Sequence, residues 1–498
     1  MRAAALAAPF HPTVVRRMRV AVLLAGLGLL SGCLSLAPAD TRPPAPIPAA
    51  FPDPSAAAAP AAQAPDWHAY FVDTRLQALI AQALTNNRDL RAAVARVDEA
   101  RAVYGVRSAD QWPTIGAGAA YARFRTPGGL LTPAPMIGQL YEVQLAETQW
   151  EIDFWGRVRS LKAAALQRYL ASDAARQATT LSVVTGVANA YLTLCEIDER
   201  IVLTRATIDT RRESLRIFRL RYAAGAISRL DLTQSEILLQ QAESLGVQLQ
   251  QARATAADAL ALLVGAPPEL GAAPLALDDG AVLPSLAPGL PSSLLERRPD
   301  VIAAEHELQA SRANIGAARA AFFPRIALTS AIGSGSSALH DLLTSGTGVW
   351  SLIPSATLPL IDGGRNRSNL ALANAQRDEA LARYEKTLQG AFRDVSDALA
   401  ARHSLADQVA IERATLASQA ERARLAKLRY DSGATRFLEV LDAQRDLMNA
   451  EQQLVVTRRA LLSSRVALYG ALGGGPDDPR VPPTAQQPIH STDSENRQ

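Results

Sequence analysis

Two segments of the chain, 157–222 and 365–430, are each 66 residues long and contain no proline and few glycines. A continuous helix of that length would measure about 100 Å, which exceeds the diameter of an ordinary globular domain. Ala, Leu, Gln, Arg and Glu dominate the chain and aromatic residues make up 5% of it, which favours long helices over large compact cores. Charged and small residues are spread through both segments, so the pattern predicts helices that lie outside a membrane.

The two long helices belong to an internal duplication. Residues 221–268 align with 429–476 at a constant spacing of 208, and about 14 of about 48 positions are identical, which is too many for coincidence at one fixed spacing. At 498 residues the chain also exceeds a single ordinary core. We therefore predict two repeats, 73–268 and 297–476, joined by a linker over 269–296.

Each repeat begins with a helical stretch that a proline ends. The stretches are 75–111 and 297–322, and Pro113 and Pro324 follow them at equivalent positions, 211 residues apart. Proline lacks a backbone N–H and cannot continue a helix, and the hydrophobic period changes from 3.6 to 2 after it. Each repeat is therefore expected to pass from helix to strand at this proline.

The segments after the prolines have the pattern of two β-hairpins, 114–147 and 325–358. Their runs of about ten residues carry one apolar face and one polar or small face, as membrane-spanning strands do. An ordinary soluble hairpin shows the same alternation and remains the alternative on pattern alone. Four strands cannot close a membrane barrel, which needs about eight. Two copies would supply eight strands and three copies twelve, and the long helices favour three because an eight-stranded ring leaves little lumen.

Each long helix is predicted to turn back at a glycine. RYAAGA (221–226) and RYDSGA (429–434) are nearly identical stretches at this point. Gly225 and Gly433 would end the helices, because glycine readily adopts the left-handed conformation of a helix C-terminus. The two stretches are therefore predicted to form the tips of two long helical hairpins. These hairpins span 157–264 and 365–472.

The first 32 residues have the features of a lipoprotein signal peptide. Three arginines precede the apolar run 20–30, which is too short to span a bilayer, and Leu-Ser-Gly-Cys33 ends it. This ending resembles a bacterial lipobox, in which Cys33 would take a diacylglycerol and an N-acyl chain and become the new N-terminus. A secretory signal with an incidental cysteine is the alternative. An Ala/Pro-rich tether is expected over 33–72 and a disordered tail over 477–498.

Composition and motifs argue against several other functions. The four arginines of residues 1–32 account for the formal charge of +3, so the remainder lacks the basic stripe of a nucleic-acid-binding protein. GSGSSA (333–338) fits a dinucleotide-binding pattern, but no acidic second strand follows in a βαβ context, and we expect it to lead into an extracellular loop. The histidines show no zinc-ligand spacing, and no nucleophile motif is present. The prediction is that the chain is not an enzyme and has no metal or other cofactor.

Several long motifs, in the right order, resemble the TolC-like outer-membrane efflux proteins, in particular the lipoprotein branch that serves resistance–nodulation–division multidrug pumps. The resemblance covers about residues 65–475, behind the lipobox at Cys33. Its motifs are WEIDFWGRVRS (150–160), RRPDVIAAE (297–305), ANIGAARAAFFPRI (313–326), LIDGGRNR (360–367) and FLEVLDAQR (437–445). It implies a homotrimer with a twelve-stranded outer-membrane β-barrel, four strands per chain, continued by a long periplasmic α-helical barrel. The linker 269–296 would join an equatorial belt.

The resemblance also implies functional sites. In the family a leucine and an aspartate, here Leu438 and Asp442, close the periplasmic end of the channel as stacked rings. Three Asp442 carboxylates would repel one another, so the Leu438 ring and bonds between helices must hold this periplasmic gate shut. A coiled-coil core leucine beside a solvated aspartate is the alternative. Leu230 and Gln234 are their equivalents in the first repeat, which therefore lacks the charge.

Adaptor hairpins meet the helical tips in the resembling pumps. The contacting residues here would be Ala224, Gly225, Ala226, Ser432, Gly433 and Ala434. The alternative is that the two glycines only terminate helices, and both roles are compatible.

The expected function is a passive exit duct for drugs or other small toxic solutes, located in the cell outer membrane and extending into the periplasm. Its partners would be a periplasmic adaptor (membrane fusion) protein and an inner-membrane pump, which would supply the energy. A type I secretion duct or a metal-efflux duct is the alternative within this class. A lipid-anchored periplasmic coiled-coil adaptor or scaffold is the alternative from another class, although adaptors have one helical hairpin and this sequence predicts two, with four amphipathic strands.

Overall fold

A computed structural model describes residues 36–39, 41–52, 65–127, 133–271, 274–283 and 292–475. The predicted signal peptide (1–32), the predicted lipidation site Cys33 and the predicted tail (477–498) lie outside the described residues, as does part of the predicted tether.

The described part of the chain consists mainly of helices, with four strands. In the first repeat the elements are α1 (Trp67–Tyr70), α2 (Thr74–Asn86), α3 (Arg88–Ala109), β1 (Ile115–Thr126), β2 (Met136–Glu151), α4 (Arg157–Ala223) and α5 (Arg229–Val264). In the second they are α6 (Pro299–Ala320), β3 (Arg325–Ser336), β4 (Gly348–Thr357), α7 (Arg365–Asp431) and α8 (Phe437–Ala471). Short 3₁₀ turns occupy Ser292–Arg297 and Leu339–Asp341. The long helices α4 and α7 contain 67 residues each.

The helical stretch that the sequence predicts over 75–111 is two helices, not one. Asn87 separates α2 from α3, and its side chain binds the start of α3 and the end of α5. The Asn87 side-chain oxygen accepts a hydrogen bond from the Leu90 N–H at 2.9 Å, and its amide nitrogen donates to the Leu263 carbonyl at 2.7 Å. Asparagine favours this N-cap role over a place inside a helix.

The four strands form one antiparallel sheet in the order β1-β2-β3-β4. Its central pairing joins the two repeats, since β2 of the first pairs with β3 of the second. Strand β2 continues to Glu151, beyond the predicted end of the hairpin at 147, and contains a bulge between Glu147 and Trp150. Gln149, inside the bulge, has φ of 59°. The two outer strands, β1 and β4, are the edges of the sheet.

The segment GSGSSA lies mainly in strand β3, which runs to Ser336. A nucleotide-binding turn would need a helix directly after the strand. Gly333 has a different role here, because a Cβ at this position would collide with the Val143 carbonyl of β2. The glycine therefore permits the close approach of β2 and β3.

The chain separates into two compact units that do not coincide with the two sequence repeats. The first unit contains 101–168 and 307–380, with the described residues 36–39 and 41–42. The second contains 169–306 and 381–475 with most of the segments before 101, within the described ranges. Each unit therefore takes segments from both repeats.

The core of the second unit includes part of the predicted linker 269–296. Phe71 and Val282 form a β-bridge, and both side chains are fully buried. The Tyr70 hydroxyl donates to the Arg465 carbonyl of α8 at 2.7 Å, and the Tyr70 ring stacks on Tyr469 at 4.5 Å. Burial raises the pKa of the Tyr469 hydroxyl to about 12. The Arg465 guanidinium also donates to the Val282 carbonyl at 3.3 Å, so this part of the linker is packed against α8.

One apolar stretch of α4 could cross a membrane by length and composition alone. An 18-residue window there has a mean hydropathy of 1.3, and 44% of the window is buried within the chain. Residues buried in α4 include Val187, Tyr191 and Cys195, which recur every four residues and so lie on one helix face. Their burial is that of a helix packed against protein.

Candidate functional site

The first helical tip, at the end of α4, is closed by two backbone hydrogen bonds. Gly225 N–H donates to the Tyr222 carbonyl and Ala226 N–H to the Arg221 carbonyl, each at 2.9 Å. This pair of bonds is the Schellman motif, which satisfies carbonyls that the end of a helix leaves unpaired.

The second tip, at the end of α7, repeats this pattern 208 residues later. Gly433 N–H donates to the Tyr430 carbonyl at 2.9 Å and Ala434 N–H to the Arg429 carbonyl at 2.8 Å. The repeated stretch R-Y-x-x-G-A thus encodes one helix end, in which Arg and Tyr supply the accepting carbonyls and Gly the turn.

The glycines at the tips are required by conformation and not by space. Gly225 and Gly433 have φ of 72° and 76°, and nothing lies within 4 Å of the point where a Cβ would stand. All six residues predicted to contact an adaptor are exposed, namely Ala224, Gly225, Ala226, Ser432, Gly433 and Ala434. The tips therefore present small residues on rigid turns to the surroundings, which allows close approach by another helix end.

The helices that return from the two tips start differently. Helix α5 begins with a capping box, in which Asp231 N–H donates to the Ser228 hydroxyl at 3.1 Å and Ser228 N–H to the Asp231 carboxylate at 3.1 Å. Helix α8 has Arg436 at its N-cap, with no side-chain cap. Glu439 instead accepts a hydrogen bond from the Thr435 hydroxyl and one from the Arg429 guanidinium at 3.2 Å. The second tip thus depends on a charged pair that the first lacks.

The two tips contact each other through side chains of the repeated stretches. The Arg221 guanidinium donates to the Tyr430 hydroxyl at 2.8 Å. Beside them the rings of Phe218 and Phe437 lie 3.9 Å apart, centroid to centroid, and Tyr430 lies 5.0 Å from Phe437. Phe218 belongs to a buried cluster that the sequence analysis did not identify, although aromatic residues next to both repeated stretches were a visible signal. The cluster consists of Leu215, Phe218 and Leu232, with Ile227, Leu239, Tyr430 and Phe437 packed against it.

The predicted gate residues lie on α8, close to the second tip. Leu438 is 47% exposed in the single chain, so its side chain is not part of a core within that chain. The Asp442 carboxylate lies 3.2 Å from the Arg445 guanidinium, one helical turn further along. The sequence analysis considered only the repulsion among Asp442 carboxylates of different copies, and the nearby Arg445 guanidinium offsets part of that negative charge. The i, i+3 spacing of the two residues was the available signal.

A second acidic group joins this site to α7. Asp446 accepts a hydrogen bond from the Arg422 guanidinium at 2.6 Å, and Arg445 contacts it at 3.4 Å. The hydrogen bond from Arg422 lowers the pKa of the Asp446 carboxyl, and the positive charge of Arg445 adds to the effect. The pair Arg422–Asp446 therefore connects the helix that carries the gate residues to the helix that carries the second tip.

The start of α4 follows the strands through a cluster of charges in the motif WEIDFWGRVRS. The Glu151 carboxylate, nearly buried, accepts hydrogen bonds from Arg157 at 2.7 and 2.8 Å and contacts Arg325 of β3 at 2.8 Å. Asp153 accepts the Arg159 N–H at 2.8 Å, which places a carboxylate at the N-terminus of α4. This cluster fixes the transition from strand to helix, and sequence reasoning had assigned it no role.

Close to the predicted lipidation site, the N-terminal segment lies on α6. The Arg319 guanidinium donates to the Leu36 carbonyl at 3.0 Å, and Arg312 donates to the Thr41 carbonyl at 2.8 Å. Gly316 lies between them, and a Cβ there would come within 3.0 Å of the Ala37 nitrogen. The described segment at Leu36 and Thr41 is therefore held on α6.

In the described ranges no group of three His, Cys, Asp or Glu side chains is arranged to hold a metal ion. Cys195 of α4 is 1% exposed, and burial raises the pKa of its thiol to about 12. Among the described residues the candidate site consists of helix ends, an aromatic cluster and ion pairs, which can hold helices together.

Comparison with known proteins identifies what this architecture is similar to. The sequence profile of the outer membrane efflux protein family matches residues 79–266 and 290–474. The chain is 41% identical to outer membrane protein OprJ of Pseudomonas aeruginosa over 93% of its own length and 96% of that protein. It is 37% identical to the probable outer membrane lipoprotein SilC of Salmonella typhimurium, over 90% and 96%.

Among solved structures, the chain is similar to the open state of the Neisseria gonorrhoeae MtrE outer membrane channel. The TM-score is 0.81 at 36% sequence identity, over 89% of this chain and 98% of that one. The two parts of the sequence that the family profile matches lie within the two repeats and the end of the linker.

Proposed function

This chain belongs to the outer membrane efflux protein family, and from that membership we propose that three copies of it form one passive channel through the outer membrane. The chain is an outer-membrane component of an efflux system, as its relatives are. The trimer, the gate, the docking tips and the lipid anchor are the further steps of the proposal.

The main support for the trimer is that the sheet of one chain has two open edges. Strands β1 and β4 each have a neighbour on one side only, and an open edge in lipid leaves backbone groups unpaired at several kcal/mol each. A barrel needs about eight strands or more, so the four strands of one chain require other copies. Twelve strands surround a wider lumen than eight, and this supports three copies rather than two.

Closure of the channel is proposed to occur beside the second tip. Leu438 is half exposed in the single chain, and three such side chains around an axis would form an apolar constriction that excludes water and ions. Asp442 would form a second ring one turn further along the helix. Because Arg445 lies 3.2 Å from Asp442, repulsion between the carboxylates is weaker than for bare charges. The contacts Arg221–Tyr430 and Arg422–Asp446 add to the apolar ring in holding the helices closed.

The exposed tips are proposed to receive the hairpins of a periplasmic adaptor, which in turn meets an inner-membrane pump. Support comes from the six small exposed residues on rigid Schellman turns. A trimer would present six such tips. Energy would come from the pump, and the channel itself would be passive, without enzymatic activity or a cofactor.

An N-terminal lipid is proposed on Cys33, as a diacylglycerol and an N-acyl chain. The fixed position of Leu36 and Thr41 on α6 supports an anchor close to the strands, because β3 starts five residues after α6 ends. Lipid and barrel together would bind the membrane far more firmly than one acyl chain.

The cargo is proposed to be drugs or other small toxic solutes. The alternatives within this class, protein secretion and metal efflux, share the same duct and differ in the pump. The test is accumulation of a fluorescent drug in cells of the source bacterium that lack this gene. Accumulation should rise and return to normal when the gene is restored. Unchanged accumulation of every small solute tried, together with a loss of protein secretion or of metal tolerance, would favour an alternative.

A further inference from the structure

The pairing of strands at the seam between two copies can be inferred from the two open edges of the sheet. We propose that β4 of one chain pairs antiparallel with β1 of a second copy in a fixed register, in which Ser355 lies opposite Ala120 and Leu360 opposite Ile115. This inference rests on the trimer proposed above and adds the register of its seams, which follows from the internal duplication.

The first step is that the two hairpins have the same register. Strand β1 matches β3 at a spacing of 211, as Ile115 and Ile326 do in the sequence. In the first hairpin Ile115 is paired with Glu147, and in the second Ile326 is paired with Ala356. Strand β2 therefore matches β4 at a spacing of 209. Pairing within the hairpins has been retained since the duplication.

The second step uses the ladder between β2 and β3, the contact between repeats within one chain. There Glu147 is paired with Ser330. The equivalents are Ala356 for Glu147 and Ala119 for Ser330. A chain whose repeats alternate around a closed barrel makes the equivalent contact between β4 and the next copy's β1, so Ala356 lies opposite Ala119 there.

The third step explains a change of spacing. Strands β2 and β4 match at 209, whereas helices α4 and α7 match at 208, from Arg157 and Arg365 onward. The segment from Glu147 to Arg157 is therefore one residue longer than the segment from Ala356 to Arg365. The extra residue lies in the bulge of β2 between Glu147 and Trp150. Strand β4 therefore has no equivalent bulge, and its pairing with β1 continues without interruption.

The register explains three apolar side chains that the single chain leaves in solvent. Leu360 and Ile361, three and four residues after the end of β4, are 87% and 96% exposed, and Ile115 at the start of β1 is 69% exposed. The Ile152 N–H donates to the Ile326 carbonyl at 2.9 Å. The equivalent bond at the seam runs from the Leu360 N–H to the Ile115 carbonyl, so β4 continues through these residues when a second copy binds.

Alternate backbone N–H and C=O groups of β4 point away from β3, towards the open edge of the sheet. The Gly335 N–H donates to the Thr347 carbonyl at 2.9 Å, and groups alternate along a strand, so odd-numbered residues of β4 face β3. The backbone groups of even-numbered residues, including Pro354, face the open edge. Pro354 has no N–H, so it leaves the ladder with β3 intact and removes one bond from the seam.

The test is disulfide formation between copies. At the seam, Ser355 and Ala120 would be a non-hydrogen-bonded pair with Cα atoms about 4.5 Å apart, within the range that a disulfide spans. The variant Ser355→Cys with Ala120→Cys is compared with Ser355→Cys with Ala122→Cys and Ser355→Cys with Gly118→Cys, which are displaced by two residues and about 7–8 Å apart. Within one chain β1 and β4 are about 14 Å apart, too far for a bond.

Purified protein is oxidised, denatured and analysed without reductant, and the same samples are examined by native mass spectrometry. We expect three disulfide-linked chains for the pair 355/120 and little linkage for the displaced pairs. If that variant fails to assemble, Ile353→Cys with Ala122→Cys tests the same register. A trimer that links through a displaced pair overturns the register alone. Protein that is never trimeric, wild type included, overturns the assembly on which the register rests.

Discussion

The Arg221 guanidinium lies 2.8 Å from the Tyr430 hydroxyl and 5.8 Å from the centroid of the Tyr430 ring. Arg221 belongs to RYAAGA at the first tip, and Tyr430 belongs to RYDSGA at the second. The hydrogen bond therefore joins the two helical hairpins. Hydrogen bonds to charged groups contribute about 1.5–3 kcal/mol, less when exposed as here. The contact therefore opposes separation of the two hairpins.

Removal of that hydrogen bond should make the channel easier to open. Tyr430→Phe keeps the ring, and with it the packing on Phe437, but removes the hydroxyl that accepts from Arg221. We expect a higher single-channel conductance or open probability in planar bilayers. The matched control is Tyr222→Phe, the equivalent change in the first repeat, where Arg229 lies over the ring. Equal currents from both variants would mean that the tip contact does not limit opening.

The apolar constriction is tested at Leu438. Leu438→Ser should loosen the ring and raise the conductance of purified trimers, because a polar side chain no longer excludes water. Leu230→Ser is the control, since Leu230 is its equivalent in the first repeat and is also exposed. If Leu438→Ser and the wild type conduct alike, the constriction lies elsewhere.

Arg445 should weaken the repulsion among the Asp442 carboxylates. Arg445→Ala leaves the Asp442 carboxylates without the guanidinium 3.2 Å away, and their repulsion should then favour opening. Asp442→Ala alone should not open the channel, and adding it to Arg445→Ala should reverse most of the gain in conductance. Conductance measured for the two single variants and the double variant forms a mutant cycle. Purely additive effects would show that the two residues act independently.

The exposed tips should tolerate bulk without loss of folding. Ala226→Trp and Ala434→Trp place a large ring where nothing in the single chain is displaced, because both residues are exposed. We expect normal trimer levels but loss of adaptor crosslinking and of drug resistance. Full resistance with tryptophan at both tips would mean that the repeated stretch ends helices and does nothing more.

Cys195 should react only when the protein unfolds. Burial raises the pKa of its thiol to about 12, so the folded protein keeps the proton that the unfolded chain loses above its ordinary pKa of about 8.5. The thiol's contribution to stability is thus complete below about pH 8.5 and declines between there and about 12. Maleimide labelling at pH 8 should be slow in native protein and fast in denaturant. Rapid labelling of the native trimer would contradict the packing of α4.

Most helices and strands could be predicted from the sequence alone, because the repeat spacing and the hydrophobic periods extend over long segments. Two proline-free segments and the 208-residue spacing are sufficient to place helices α4 and α7, and Pro113 and Pro324 mark the change to strands. The contacts between individual side chains could not be predicted from these patterns. Arg445 beside Asp442, and Glu151 between Arg157 and Arg325, depend on which helix face or strand end meets another, and one sequence does not specify this.

The hydrophobic patterns also did not predict two interruptions of regular secondary structure. The bulge at Gln149 extends β2 beyond 147, and Asn87 divides a stretch whose periodicity predicts one helix. Both features depend on tertiary contacts that compensate for a local interruption. The bulge nevertheless left a trace in the sequence, since the spacing of the repeats changes from 209 to 208 across it.

Native mass spectrometry of the protein extracted from the outer membrane tests the central claim most directly, because it counts the chains that share one barrel. Particles of three chains, which persist when dissolved in mild detergent and form channels in planar bilayers, are the expected result. Particles of one or two chains, or trimers that never conduct, would contradict a channel built from three open sheets.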